Sequence, residues 1–209
     1  MGQAFRTTSF AKPVLSAALA GVLAFPASSA TTTWQIDPAH TAAGFAVKHL
    51  MISTVRGQFK GIAGAVTWDD QDVSKSSIEV TIDANTVDTS EPNRDKDLKS
   101  EKFFDVAKYP TITFKSKKIE NVSAGKLKVT GDLTIHGVTR EVVLDVEGPS
   151  NPVKDPWGNI RAGVTATAKI NRKDFGLAWN ALTEAGGVVV GDEVKITIEA
   201  ELIQQADAA

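Results

Sequence analysis

The sequence predicts an all-β protein, an antiparallel β-barrel of about eight strands with one short helix. The first observation behind this prediction is composition: Thr, Val and Ile together number 54 among the 209 residues, whereas Leu numbers 11. Such an excess of β-branched residues is typical of strands. The second observation is that apolar residues recur at every second position through most of the chain beyond residue 30. This is the period of a strand with one buried face.

The individual strands follow from this alternation. It is clearest at residues 78–84, 127–135, 142–146 and 194–202. Weaker alternation predicts strands at residues 33–36, 44–49, 55–68, 111–119 and 160–170. His136 and Gly137 stand between two of the clearest segments, so residues 127–147 are predicted to form a tight hairpin. The short, charged segment 91–99 is the one predicted helix.

Long antiparallel strands with one apolar face can close into a barrel or stack as a sandwich. Closure is favoured here because it removes the exposed strand edges that otherwise invite aggregation. A closed barrel of about eight strands can also enclose one small ligand. The length of the chain suits a single domain at residues 31–209, once the first thirty residues are set aside.

Two predicted strands carry unusually small side chains on their inward faces. One stripe is Gly57, Phe59, Gly61, Ala63 and Ala65, and the other is Ala162, Val164, Ala166, Ala168 and Ile170. Small residues leave volume that either larger neighbours or a ligand must fill, and the sequence leaves both interpretations open. A cavity would be apolar and would suit a long hydrocarbon. Aromatic lining is available from Phe45, Phe59, Phe114 and Phe175.

Composition and motifs argue against several classes of function. A formal net charge of −2 lacks the strongly basic face that nucleic acids require. The absence of cysteine excludes disulfides, thiolate metal sites and cysteine nucleophiles. His40 and His49 have no third ligand at a spacing that identifies a metal site, and no nucleotide-binding or hydrolase fingerprint occurs. We therefore expect no metal, no cofactor, no nucleic-acid partner and no enzymatic activity.

The first thirty residues predict a secretory signal peptide. Arg6 and Lys12 precede an apolar run from Val14 to Phe25, and small residues occupy positions 28 and 30. The run is too short to span the roughly 30 Å hydrocarbon core of a membrane. Export of a cysteine-free chain fits a periplasmic location. Removal of residues 1–30 leaves 21 basic and 25 acidic residues, a net charge of −4.

Eight short segments of the chain carry motifs that occur together in one known family. They are WQIDPAHT at 34–41, FAVKH at 45–49, VRGQF at 55–59, NRD at 93–95 leading to Leu98, FFD at 103–105, YPTITF at 109–114, GDLTIHGVT at 131–139 and NRKDFGL at 171–177. Together these segments resemble the YceI-like family of exported polyisoprenoid-binding proteins. Each motif is weak by itself, but in their expected order they cover essentially all of residues 31–209. One departure is Thr41, where the family more often has serine; the hydroxyl is kept.

The resemblance implies a lipocalin-like barrel whose elongated channel holds a polyisoprenoid or similar long-chain amphiphile, such as an isoprenoid quinone. Transport and storage of this lipid are both expected roles, with exchange of the lipid at a membrane, and a homodimer is left open. The resemblance transfers no catalytic residues. From the alternation we assign the apolar lining of the channel to Phe45, Val47, Phe59, Phe114, Leu133, Ile135, Val164, Ala166, Ala168 and Phe175.

His49 shares the alternating face of Phe45 and Val47, so it is a candidate contact for the head group of the ligand. The alternative is a histidine at the rim of the barrel that is bonded to the backbone. Two other functions stay open. An envelope-stress structural protein would have a full barrel and would carry no lipid. An enzyme acting on an isoprenoid lipid would use His49 or Asp37 as an acid or base, and its turnover would titrate near neutral pH.

Cleavage after Ala30 is the testable consequence of the predicted signal peptide. Signal peptidases accept small residues at the two positions occupied here by Ser28 and Ala30. N-terminal sequencing of the exported protein is expected to start at Thr31. A sequence that still includes residues 1–30 would contradict the prediction and would indicate a protein tethered to the membrane.

Overall fold

A computed structural model describes residues 1–2, 31–184 and 186–206, so the predicted signal peptide lies outside the described residues. Eleven strands and one α-helix occur in the described part of the chain. Three one-turn 3-10 helices lie at Val73–Lys75, Ala84–Thr86 and Arg172–Phe175. The strands and the α-helix are β1 (Thr31–Ile36), β2 (Ala42–His49), β3 (Ser53–Phe59), β4 (Ile62–Asp69), β5 (Ser77–Asp83), α1 (Pro92–Lys99), β6 (Thr111–Ser123), β7 (Lys126–Ile135), β8 (Val138–Glu147), β9 (Val153–Lys154), β10 (Ile160–Asn171) and β11 (Val190–Gln204).

The strands form one closed antiparallel sheet with eight positions. β1 and β2 share a position, because both pair with β11. β3 and β4 share the next, because they pair with β2 and β1 respectively. β5, β6, β7, β8, β10 and β11 follow in that order, and β10 pairs with β11 to close the ring. The predicted antiparallel barrel of about eight strands with one short helix is confirmed.

The hairpin between β7 and β8 forms where the sequence predicts it. His136 and Gly137 have φ values of 52° and 73°, and a tight two-residue turn needs positive φ at both positions. Gly137 is also required by packing, because a Cβ atom at this position would lie 2.5 Å from the ring of Tyr109. The two strands pair without interruption from Lys126–Glu147 to Ile135–Val138.

The prediction of one strand at residues 55–68 is wrong, because β3 and β4 are separated at Lys60 and Gly61. The backbone N–H groups of both residues leave the strand ladder and donate to the hydroxyl of Thr86, each at 3.1 Å. This contact comes from a 3-10 helix that is distant in sequence. The break therefore has no local signal in the alternation of residues 55–68.

Because of this break, the even-numbered rather than the odd-numbered residues of β4 face the interior. The small-residue stripe predicted at residues 57–65 is therefore wrong beyond Phe59. Phe59 and Ile62 both face the core, with exposures of 7% and 3%, and two residues rather than one separate them. Ala63 is consequently exposed. At Gly57 the ring of Phe45 already fills the space, because a Cβ atom there would lie 2.4 Å from it. This stripe therefore reflects packing against a large neighbour.

Helix α1 is defined by polar contacts at its start. The carboxylate of Glu91 accepts hydrogen bonds from the backbone N–H groups of Asn93 and Arg94, at 3.1 and 2.6 Å. Arg94 Nε donates to the hydroxyl of Thr89 at 2.8 Å, and Asp95 accepts the backbone N–H of Thr89 at 2.9 Å. These bonds tie the helix to the loop before it. Within the described residues, no helix is long and apolar enough to cross a membrane.

One arginine joins the long loop after β8 to the barrel wall. Arg161 Nη1 donates to Asp37 at 2.7 Å and also to Glu201, and its Nε donates to Asp155 at 2.7 Å. His40 Nδ1 donates to the same Asp37 carboxylate at 2.8 Å. The hydrogen bonds from His40 and Arg161 lower the pKa of Asp37 to about 2. Asp37 is therefore ionised throughout the physiological pH range.

Replacement of Arg161 by Met is expected to lower the melting temperature by a few degrees near neutral pH, because three carboxylates lose their shared cation. The difference from wild type should shrink as the pH falls from about 4 to about 2. The lowered pKa of Asp37 stabilises the fold above its ordinary pKa of 3.8, and this contribution disappears as the group is protonated. Thermal unfolding at several pH values measures both effects.

The control for this prediction is Arg140→Met. Arg140 is exposed and its guanidinium donates to the carbonyl of its neighbour Thr139, so this substitution should leave the melting temperature nearly unchanged at every pH. Equal effects of the two substitutions would contradict the assigned role of Arg161.

Candidate functional site

An apolar cavity of about 640 Å³ occupies the interior of the barrel. Small-molecule sites usually have volumes of roughly 300–1,000 Å³. On β11 the lining begins at Val190 and ends at Gln204, so the cavity follows roughly 45 Å of strand. Inward side chains from all eight positions of the barrel line it, among them Ile36, Ala43, Val66, Ile82, Ile112, Ile119, Val129, Leu144, Val146, Ile196, Ile198 and Leu202. The cavity is therefore long as well as apolar.

Most of the lining assigned from alternation faces this cavity. The small-residue stripe on β10 does so at four positions, Ala162, Val164, Ala166 and Ile170, so this stripe borders open volume. Contact of these residues with a ligand stays a prediction. The assigned residues that line the cavity are Phe45, Val47, Phe59, Phe114, Leu133, Ile135, Val164 and Ala166.

Three of the assigned residues, Ala168, Phe175 and His49, lie outside the cavity lining. Ala168 has the inward parity of the β10 stripe and is half-buried, but it does not reach the cavity lining. Phe175 belongs to the 3-10 helix after β10 rather than to a strand, and at 1% exposure it packs within the core. His49 is the last residue of β2, opposite Ser53 and Val190, at the end of the barrel away from the polar mouth described below.

Alternation could have supplied further lining residues that the assignment omitted. Ile78, Val80 and Ile82 share one face of β5, and all three line the cavity. Trp34 and Trp68 also line it, on β1 and β4. Trp68 could not be placed from the pattern, because the break at residues 60–61 reverses the parity of β4.

The cavity opens at one end of the barrel, which we call the mouth. Exposed residues occur in the lining only here, among the described residues, and they come from the end of β4 and from the loop after β8. Polar side chains are concentrated at this end, where the ends of three strands and one loop meet. They are Thr32, Asp70, Ser150, Asn151 and Gln204.

The opposite end of the cavity is covered, and we call it the closed end. Leu98 of α1 and the following Phe103 and Phe104 line the cavity there, and none of them is exposed. The ring of Phe103 packs on Trp179 with centroids 5.1 Å apart, and Phe104 packs edge-on against Phe59 at 5.5 Å. Helix α1 and the aromatic residues after it therefore act as a lid.

A buried arginine stabilises the closed end. Arg172 is 4% exposed, and its guanidinium donates to the carbonyl oxygens of Leu177, Trp179, Val190 and Gly191. Burial lowers the pKa of Arg172. Because backbone carbonyls already accept from every nitrogen of the guanidinium, Arg172 joins the loop that follows the third 3-10 helix to the start of β11 and is not available to a ligand.

Asp37, His40 and Glu201 form a cluster whose ligand atoms all lie within 4.8 Å of one another. Such a group could hold a metal ion, but Arg161 Nη1 already donates to both carboxylates. The hydrogen bond to Asp37 also raises the pKa of His40. The cluster lies outside the cavity lining and has the composition of a structural ion network.

Comparisons with known proteins agree with this architecture. Residues 34–202 match the family model of the YceI-like domain. Protein YceI of Salmonella newport (strain SL254) is 37% identical over 198 residues, which cover 93% of this chain and 98% of the relative. The crystal structure of a Campylobacter jejuni YceI protein is 34% identical with a TM-score of 0.64, covering 76% of this chain and 90% of that one.

A polyisoprenoid binding domain from Saccharophagus degradans shares the fold at 18% identity, with a TM-score of 0.59 over 82% of this chain and 98% of that domain. The family model spans most of the barrel, and the Salmonella relative matches over nearly its full length. This chain belongs to the YceI-like family.

Proposed function

We propose that the protein is a periplasmic lipid-binding protein that holds a polyisoprenoid or similar long-chain amphiphile, such as an isoprenoid quinone. The observation that carries this proposal is the long apolar cavity lined from Val190 to Gln204 on β11. Enclosure of a hydrocarbon chain in such a cavity is favourable by about 25 cal/mol for each Å² removed from water. The polyisoprenoid binding described for the Saccharophagus degradans domain supports the same class of ligand.

The distribution of polar groups supports an orientation for this ligand. The closed end offers an arginine whose donors are already taken, whereas the mouth offers exposed polar side chains from Asp70, Ser150 and Asn151. An amphiphile would bury its tail towards α1 and place its head group at the mouth. In this proposal the head group contacts the residues of the mouth rather than His49, the contact predicted from the sequence.

Binding is better supported than catalysis. Asp37, one candidate acid or base, is held by Arg161 and His40, and its pKa of about 2 is far from the neutral range in which a general base is effective. His49, the other candidate, lies outside the cavity lining. A purely structural role with a full barrel is disfavoured by the cavity volume.

In this proposal the protein transports or stores the lipid in the periplasm and exchanges it with a membrane. Two copies associate into a homodimer. The protein purified from the periplasm of its own host is expected to carry lipid. Organic extraction followed by mass spectrometry identifies the lipid, and sedimentation equilibrium measures the number of copies. Protein that is lipid-free after native purification would contradict the proposed function.

Ala166→Phe tests the cavity directly. Ala166 is 6% exposed, lines the cavity and pairs with Ile198 across the seam of the barrel. A phenyl ring at this position would occupy ligand volume, so we expect loss of copurifying lipid with a nearly unchanged melting temperature of the lipid-free protein. Lipid-free forms must be compared, because a bound ligand itself raises the apparent stability.

Ala63→Phe is the matched control, because Ala63 is an alanine on the exposed face of β4. It should change neither the lipid content nor the melting temperature. If the core were already filled, Ala166→Phe would instead overpack it at a cost of about 1–3 kcal/mol. A strongly destabilised variant that still carried a full complement of lipid would refute the cavity at this strand.

A further inference from the structure

The loop between β8 and β10, residues 148–159, connects the cavity to the outer surface, and we call it the rim loop. Residues 149–152 line the mouth of the cavity. β9 follows and pairs with Ile160 and Arg161 at the start of β10. The tip of the loop then turns outward at Trp157, so a single short segment reaches from the cavity to solvent.

Trp157 is exposed to an unusual degree for a large aromatic side chain. Its exposure is 82%, and within the described residues its indole ring has neither a hydrogen bond nor a ring contact. The other three tryptophans contact the rest of the barrel: Trp34 is buried, Trp68 lines the cavity and Trp179 packs on Phe103. Val153, on the same loop, is 63% exposed. The rim loop therefore presents apolar surface beside the mouth.

Hydrogen bonds within the rim loop fix the outward position of Trp157. Asp155 Oδ1 accepts hydrogen bonds from the backbone N–H groups of Trp157 and Asn159, at 2.9 and 2.8 Å. Asp155 Oδ2 accepts from Arg161 Nε at 2.7 Å, which connects the turn to the ion network on the barrel wall. The loop is held in a shape that keeps the indole ring outward.

The charges of the rim loop complement an anionic surface. Its one acidic residue, Asp155, has a side chain that is 7% exposed and is neutralised by Arg161. Its one basic residue, Lys154, is exposed and has no ion pair among the described residues. The outward surface thus combines Trp157 and Val153 with one free cation. Tryptophan and lysine are the residues that anchor proteins at the boundary between lipid head groups and acyl chains.

We propose that the rim loop docks on an anionic phospholipid bilayer, with Trp157 placed among the head groups and Lys154 beside a lipid phosphate. This inference rests on the proposed function, because a docked rim loop would present the mouth to the membrane from which the lipid is taken. An amphiphile could then enter the cavity without its tail crossing water.

The test separates docking from lipid binding. Lipid-free wild type, Trp157→Ala and Ile52→Ser are mixed with vesicles of phosphatidylethanolamine and phosphatidylglycerol, and vesicle-bound protein is measured by flotation. Ile52 is the matched control, because it is also 82% exposed but lies beyond the closed end, at the tip of the β2–β3 hairpin. In parallel, each protein is titrated with ubiquinone in detergent, which needs the cavity but no membrane.

We expect Trp157→Ala to lower the vesicle-bound fraction by at least about tenfold, since it removes the largest apolar group of the loop. Ile52→Ser should float like wild type, and all three proteins should bind ubiquinone from detergent equally. Absence of wild-type flotation, unchanged flotation of Trp157→Ala, or an equal or greater loss in Ile52→Ser would overturn docking by the rim loop. Absence of ubiquinone binding by wild type would instead count against the proposed ligand class, whatever the vesicles show.

Discussion

The pairing of β10 with β11 closes the sheet into a barrel, and the interior depends on this closure. The two strands pair continuously from Arg161–Ile203 to Asn171–Glu193. On the outer surface the seam is supported by contacts of Arg161 with Glu201, of Thr165 with Glu199 at 2.8 Å and of Lys169 with Glu193 at 3.8 Å. Once the ring is closed, alternation along every strand becomes a division between an apolar interior and a charged exterior.

The interior remains open because of where the small residues lie. On β3, Gly57 is matched by the ring of Phe45, so no volume is left. On β7, Gly131 is likewise matched by Phe114, which would lie 2.5 Å from an added Cβ atom. On β10, by contrast, Ala162 and Ala166 border the cavity. A small residue thus belongs to close packing at one position and borders open volume at another, depending on the size of its neighbours.

The two ends of the barrel differ in chemistry, and this difference gives the cavity a direction. At the closed end Arg172 is buried and binds backbone carbonyls, while Phe103 and Phe104 cover the apolar volume. At the mouth the lining is exposed and polar. The ion network of Arg161 stabilises the rim loop on that side, so the loop beside the mouth is anchored to the barrel wall.

Local signals in the sequence determined the strand content, the β7–β8 hairpin and most of the inward faces, because alternation and turn chemistry act between near neighbours. Tertiary structure decided the features that depend on distant residues. The hydroxyl of Thr86 accepts hydrogen bonds from the backbone N–H groups of Lys60 and Gly61, which therefore leave the strand ladder. This break changes which side chains of β4 face the interior. Arg161 and Asp37, 124 positions apart, meet only when β1 and β10 lie on either side of β11. The packing of loops over the closed barrel likewise decides which end is open, and it is the reason that His49 lies far from the open end. The pattern of residues within one strand carries no information about this packing.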